Sequence, residues 1–110
     1  MSTAEPLLTL TDADIEEYLA SAAKPTLIDF WATWCGPYKA LAPVLHAIAE
    51  STAAMTVARV DVDANPFSVA TYGIKSVPTL VLFDNGTIVK RIVGAKDKAT
   101  LLAELDLVTE

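Results

Sequence analysis

Apolar runs with the dimensions of buried strands alternate along this chain with segments of helical period, and that alternation is its strongest constraint. Thr26-Leu27-Ile28-Asp29-Phe30-Trp31 holds one acid within an otherwise apolar run, as in a strand covered on both faces. Met55 to Val62 and Thr79 to Phe83 have the same character. Between the first two, Leu41, Val44, Leu45 and Ile48 recur at helical spacing, and Pro43 inside the pattern predicts a kink. Upstream, the short apolar run Leu7 to Leu10 precedes a helix with Ile15, Tyr18 and Leu19 on one face. Thr11 or Asp12 is placed to cap that helix, and Lys24-Pro25 ends it. Downstream, Asn65-Pro66 opens a short helix over Pro66 to Tyr72, closed by Gly73. Asp84-Asn85-Gly86 predicts a tight hairpin into a strand over Thr87 to Val93, which Gly94 breaks. A last amphipathic helix is predicted over Lys96 to Val108, with Ala99, Leu102, Leu105 and Leu107 among its apolar positions.

The resulting order is β-α-β-α-β-α-β-β-α. It predicts an α/β fold, a three-layer α/β/α sandwich around a central mixed sheet, partly parallel and closed by an antiparallel hairpin. The 110 residues are read as a single domain, 1–110, with residues 1–6 a flexible N-terminus.

Charge and cysteine content narrow the function. Eight Lys+Arg against 14 Asp+Glu give a net charge of −6, which lacks the basic footprint of a nucleic-acid binder. An anionic membrane surface repels the same charge, so neither nucleic acid nor membrane is expected as a partner. One cysteine and one histidine, Cys35 and His46, exclude an internally disulfide-stapled scaffold and a structural zinc site. Asp61, Asp63 and Asn65 imitate the opening of a calcium loop, but Pro66 stands where glycine is needed and Tyr72 where the closing Glu belongs. No metal or cofactor is expected. The N-terminus shows no secretory pattern and no apolar stretch approaches a bilayer span, so a cytoplasmic location is expected.

Chemistry concentrates at Trp34-Cys35-Gly36-Pro37, a turn at the carboxyl end of a central strand and just before a helix. Reactive groups of open α/β sheets gather at that end. Unpaired N–H groups at a helix start favour a thiolate over a thiol. Lowering a thiol pKa from ~8.5 to ~6.5 raises the thiolate fraction at pH 7 from ~3% to ~75%. Gly36 and Pro37 allow the tight turn and leave the sulfur uncovered. Asp29, among Leu27, Ile28, Phe30 and Trp31, is expected to be buried and its pKa raised. Trp31 is expected under the turn, Trp34 beside the cysteine, and Arg59 and Lys39 in solvent. Trp34, Ile74, Val77 and Pro78 are expected to form an exposed apolar docking patch.

These segments together resemble the thioredoxin family across about residues 7–108. The resemblance is carried by Asp29-Phe30-Trp31-Ala32, Trp34-Cys35-Gly36-Pro37, Lys39 with Pro43, and Val60-Asp61-Val62-Asp63-Ala64-Asn65-Pro66. Tyr72-Gly73-Ile74, Val77-Pro78-Thr79, Asn85-Gly86 and Gly94 complete it. It implies a thioredoxin fold and thiol–disulfide exchange on protein substrates, with Cys35 as the attacking residue. It implies a cis Val77–Pro78 peptide beside the sulfur that docks the substrate backbone, together with Trp34, Gly36, Pro37, Ile74, Val77 and Gly94. Asp29 matches the family's buried acid. Implied partners are disulfide-containing proteins and a thioredoxin reductase or a small thiol.

One position departs from the family's Trp-Cys-Gly-Pro-Cys-Lys pattern: the second cysteine is replaced by Tyr38. A phenol cannot attack a mixed disulfide, so only the first half of the exchange is expected from Cys35 alone. Asp29 then either idles or meets the Tyr38 hydroxyl. An oxidised Cys35–Cys35 dimer is a further expectation. The alternative function is a redox-silent binding module that holds a protein partner on the same surface.

Overall fold

The computed structural model describes residues 7–34, 36–51, 54–94, 96 and 98–109, and the side chains of all of these except 36–40, 51, 98 and 106–109. In chain order the elements are β1 (Leu8–Thr9), α1 (Ile15–Ser21), β2 (Thr26–Trp31), α2 (Gly36–Ser51), β3 (Thr56–Asp61), α3 (Pro66–Tyr72), β4 (Thr79–Asp84), β5 (Thr87–Val93) and α4 (Lys98–Thr109). The β-α-β-α-β-α-β-β-α order is the one read from the sequence. The proposed N-terminal segment 1–6 lies outside the described residues.

The five strands form one mixed sheet in the order β1-β3-β2-β4-β5. β2 runs parallel to β3 and antiparallel to β4, so the change of direction falls at the middle of the sheet as well as in the hairpin. Strand alternation sends successive side chains to opposite faces. Leu27 on β2, Val57 on β3, Leu80 and Leu82 on β4 and Ile92 on β5 pack with Leu41, Leu45 and Ile48 of α2 and with Leu101 and Leu105 of α4. Ile28, Phe30, Ala58, Val60, Val81 and Phe83 pack on the other face with Ile15 and Leu19 of α1, and Val69 and Tyr72 of α3 add to that core. Two apolar cores on either side of one sheet make the three layers. Tyr72 bridges two strands there, its ring 5.1 Å from Phe83 edge-on and 6.4 Å from Phe30.

Two local expectations are corrected. Asp12 does not cap α1: Asp14 is at that N-cap position and makes no side-chain cap bond, and its Oδ1 accepts the Thr11 N–H at 2.7 Å. Asp12 instead serves α3, where Oδ1 accepts the Ser68 N–H at 2.8 Å and Oδ2 the Phe67 N–H at 3.1 Å. The start of α3 lies beside the loop before α1, and a carboxylate can answer any orphan N–H within reach. The last helix begins at Lys98, and Leu101 and Leu105 face the core whereas Ala99 is exposed. α2 runs through Pro43, which lies on its exposed side.

The hairpin closes as predicted. Asn85 (φ 56°) and Gly86 (φ 76°) both adopt the left-handed backbone of a tight two-residue turn. The register slips by one residue between Leu82 and Phe83, which leaves Val89 exposed on β5.

Candidate functional site

Because β4 is antiparallel to β2, its first residues lie at the carboxyl end of β2, with Thr79 opposite Phe30. The chain leaving β2 through Trp34 and the chain entering β4 through Val77–Pro78 are therefore brought to one end of the sheet. The Val77–Pro78 peptide bond is cis. Its entry is fixed on both sides: the Gly94 N–H donates to the Pro78 carbonyl at 2.9 Å, and the Thr79 hydroxyl donates to the Ser76 carbonyl at 2.7 Å. Gly94 has φ 91°, a backbone that L side chains rarely adopt.

Trp34 is 67% exposed, and its indole N–H donates to Asp63 Oδ2 at 2.8 Å. Beside it is a cavity of about 170 Å³ walled by Trp34, Val62, Val69, Ile74 and Val77, with Lys75 and Ser76 also lining it. The expected exposed patch of four residues is thus corrected. Trp34 is open and Val77 half-buried, but Ile74 is 9% exposed and Pro78 is buried. The Ile74 N–H is tied back to the Val69 carbonyl at 3.0 Å behind the α3 cap, which turns its side chain inward.

Asp29 is buried on the α2 and α4 side of the sheet, level with Arg59 on β3 and Leu80 on β4. Neither carboxylate oxygen has a hydrogen-bond partner among the described residues. Burial pushes its pKa up to about 7, and the positive charge of Arg59 pulls against that rise. Arg59 is not a free solvent charge as expected. Its guanidinium stands 5.4 Å from the Trp31 ring centroid, and its Nε–H donates to the Thr9 hydroxyl at 3.3 Å.

Cys35 lies outside the described residues, as do the side chains of Gly36, Pro37, Tyr38 and Lys39. The expected Cys35–Cys35 dimer and an Asp29–Tyr38 contact fall there too. The backbone from Gly36 on is the first turn of α2, two positions after Trp34 in sequence. Among the described residues no group of three or more His, Cys, Asp or Glu side chains could hold a metal ion, and no helix is long and apolar enough to cross a membrane.

The polar net between β3 and α3 is the feature that sequence reasoning missed. Asp61, Asp63 and Asn65 draw attention by a calcium-like spacing, but they build a turn. Asp61 Oδ1 accepts the Asp63 N–H at 2.9 Å, and Asn65 Nδ2 donates to the Asp61 carbonyl at 2.9 Å. The signal available in the sequence was the Asx residues two apart, a pattern that favours side-chain-to-backbone turns.

The thioredoxin family model matches residues 6–107 of this chain. The chain belongs to the thioredoxin family. It is 55% identical over 97 residues to a thioredoxin of Mycobacterium tuberculosis (strain ATCC 25618 / H37Rv), covering 87% of this chain and 84% of that protein. A thioredoxin of Mycolicibacterium smegmatis is 50% identical over 108 residues, 96% of each chain. A bifunctional thioredoxin reductase/thioredoxin of Mycobacterium leprae is 53% identical over 97 residues, covering 87% of this chain and 21% of that longer protein. Thiol–disulfide exchange with disulfide substrates is the chemistry of this thioredoxin family, and thioredoxin reductase is its partner enzyme. The one cysteine of this thioredoxin-family chain, Cys35, immediately follows Trp34 beyond the carboxyl end of β2.

Proposed function

We propose that this chain performs a one-cysteine form of thiol–disulfide exchange on protein substrates, with Cys35 as nucleophile and no internal resolving group. The observation that carries the proposal is Tyr38, three positions after the only cysteine of a thioredoxin-family chain. The Cys35 thiolate attacks one sulfur of a substrate disulfide. The substrate S–S bond breaks, a Cys35–substrate disulfide forms, and the other substrate sulfur leaves as a thiolate that takes a proton from water. Phenol chemistry supplies no second attack, so two external thiols of the glutathione class act in turn. The first attacks the Cys35 sulfur and expels the substrate as a thiol. The second attacks the first, restores the Cys35 thiol and leaves the pair as their own disulfide; the dithiol of a thioredoxin reductase would do both steps and leave oxidised. No resident cofactor is required. The groove of Trp34, Ile74 and Val77 beside the cis-Pro78 peptide is suited to hold the extended substrate backbone, and Gly36, Pro37 and Gly94 are the further substrate-docking positions of this reading. In this reading the chain is a single cytoplasmic domain, and the buried Asp29, with no resolving thiol to serve, either idles or meets the Tyr38 hydroxyl.

The test is mass spectrometry of the purified protein incubated with insulin, with iodoacetamide added to stop exchange. A covalent insulin-chain adduct that reductant removes and Cys35→Ser abolishes is the expected result. Non-covalent retention of the probe with no adduct supports the binding-module alternative and overturns the proposal.

A further inference from the structure

We propose that Asp12 is a positioning residue for Trp34, acting across the loop between β3 and α3 through an unbroken run of hydrogen bonds. The inference rests on the reading that Trp34 flanks the reacting cysteine. Trp34 is the most exposed large apolar side chain described, so packing alone does not fix its indole. What fixes it is the bond from its N–H to Asp63 Oδ2 at 2.8 Å. Asp63 is exposed itself, and its backbone N–H is held by Asp61 Oδ1 at 2.9 Å. The Asp61 carbonyl accepts from Asn65 Nδ2 at 2.9 Å, and Asn65 Oδ1 accepts the Asp12 backbone N–H at 2.7 Å.

The run therefore passes inward from an exposed indole to Asn65, which is buried, and ends on Asp12. That end is clamped. The Asp12 carboxylate accepts the Ser68 hydroxyl at 2.6 Å as well as the N–H groups of Ser68 and Phe67, and Ser68 is fully buried. One residue thus grips α3 with its side chain and the β3–α3 loop with its backbone. Burial raises the Asp12 pKa, and the Ser68 and Phe67 hydrogen bonds outweigh it, so the net direction is down and the clamp stays charged at neutral pH. Hydrogen bonds to a charged acceptor are the strong ones, and a run of them holds its members in one arrangement. The segments joined are 53 to 56 residues apart in sequence, so only the fold brings them together.

The experiment compares the full chain with Asp12→Ala, Asp12→Asn and Asn65→Ala, each first shown to be folded by circular dichroism. Solvent exchange of the Trp34 indole N–H is followed by NMR, with Trp34→Phe used to assign the signal. Cys35 is titrated with iodoacetamide, which needs no docking, and with insulin, which does. The expected result for Asp12→Ala is faster indole exchange and slower reaction with insulin, each by roughly two- to thirtyfold. The iodoacetamide rate stays within about twofold of the parent. Asp12→Asn, which keeps one acceptor oxygen, falls between, and Asn65→Ala reproduces the effect by cutting the run one link later. If Asp12→Ala does not fold, these two variants carry the test. An unchanged indole signal in the folded variants overturns the inference. An unmodified chain that fails to react with insulin overturns the proposed function instead, and leaves the indole measurement to judge Asp12.

Discussion

Asp29 and Arg59 face the same side of the sheet at the same level of the β2–β3 pair, yet neither Asp29 oxygen accepts a hydrogen bond from the guanidinium. Arg59 is turned toward the Trp31 ring and the Thr9 hydroxyl instead. The acid therefore feels the positive charge only at a distance, and burial prevails in setting its pKa at about 7.

This arrangement makes stability depend on pH with a definite sign. In the unfolded chain Asp29 ionises near 3.8, and in the fold it keeps its proton up to about 7. Below 3.8 the two states bind the same proton and the residue contributes nothing. Between about 4 and 7 the unfolded chain loses that proton first, so stability falls as pH rises, and it levels off above 7. At ~1.4 kcal/mol per pH unit the full loss is up to about 4 kcal/mol. Asp29→Asn keeps the shape and removes the charge. Urea unfolding is expected to show it more stable than the parent at pH 8 and no more stable at pH 4. Arg59→Gln is expected to raise the Asp29 titration midpoint, read by NMR of the carboxyl carbon. Parallel stability curves for parent and Asp29→Asn from pH 4 to 8 would contradict the assignment.

Phe30 is fully buried on the opposite face of β2, beneath Tyr72 and among Ile28, Val60 and Val81. Truncation to alanine removes most of a buried ring and leaves a cavity that a packed sheet cannot close. The expected cost is ~3–5 kcal/mol, seen as a lower urea midpoint with an unchanged slope. A loss under about 1 kcal/mol is incompatible with the packing described.

The β-α order and the hairpin were legible because each rests on a local signal: the apolar strand runs, Asn65-Pro66, Gly73 and Asn85-Gly86. The sheet order was less so. Nothing local says that β4 inserts beside β2 in the antiparallel sense, and that choice brings Pro78 to the end of the sheet where Trp34 leaves it. At the site, Asp29 and the exposure of Trp34 were readable from their neighbours. The inward turn of Ile74, the stacking of Arg59 on Trp31 and the attachment of Asp12 to α3 were not, since each depends on a partner that local spacing does not reveal. An acid near a helix start is normally assigned to the nearest helix. Asp12 shows that it can instead serve a helix whose Ser68 lies 56 residues on.

Gly73 separates a backbone effect from a steric one. It ends α3 at φ 68°, with its N–H directed to the Ala70 and Val69 carbonyls. A Cβ there would meet only Arg91 Nη2 at 3.8 Å, an ordinary contact with the end of a flexible side chain. Gly73→Ala is therefore expected to lose ~1–2 kcal/mol, all of it from the left-handed backbone. Gly73→Asn is expected to lose less, since Asn tolerates that region. Equal losses for Ala and Asn in thermal or urea unfolding would point to sterics instead.

Tyr38→Cys is the substitution expected to change what the protein does. The unmodified chain has one cysteine, so each encounter with a disulfide ends in a covalent adduct until an outside thiol arrives. A thiol introduced by Tyr38→Cys would follow Cys35 by three residues, a spacing that places both on one side of a helix start. It could attack the Cys35 sulfur of the adduct, expel the substrate as a thiol and leave an internal disulfide between Cys35 and the introduced sulfur. Dithiothreitol then returns that disulfide to two thiols, and the cycle repeats. The measurement is insulin precipitation with dithiothreitol as reductant, comparing the chain as it stands and Tyr38→Cys, each with and without Cys35→Ser. Only Tyr38→Cys is expected to speed precipitation well beyond dithiothreitol alone. The unmodified chain is expected to give at most a small increase, because dithiothreitol must find each adduct by collision, without the high effective concentration of a neighbouring thiol. If the unmodified chain matches Tyr38→Cys, and Cys35→Ser abolishes both, external resolution is fast enough and Tyr38 does not limit turnover. Activity that survives Cys35→Ser would remove Cys35 from the mechanism altogether.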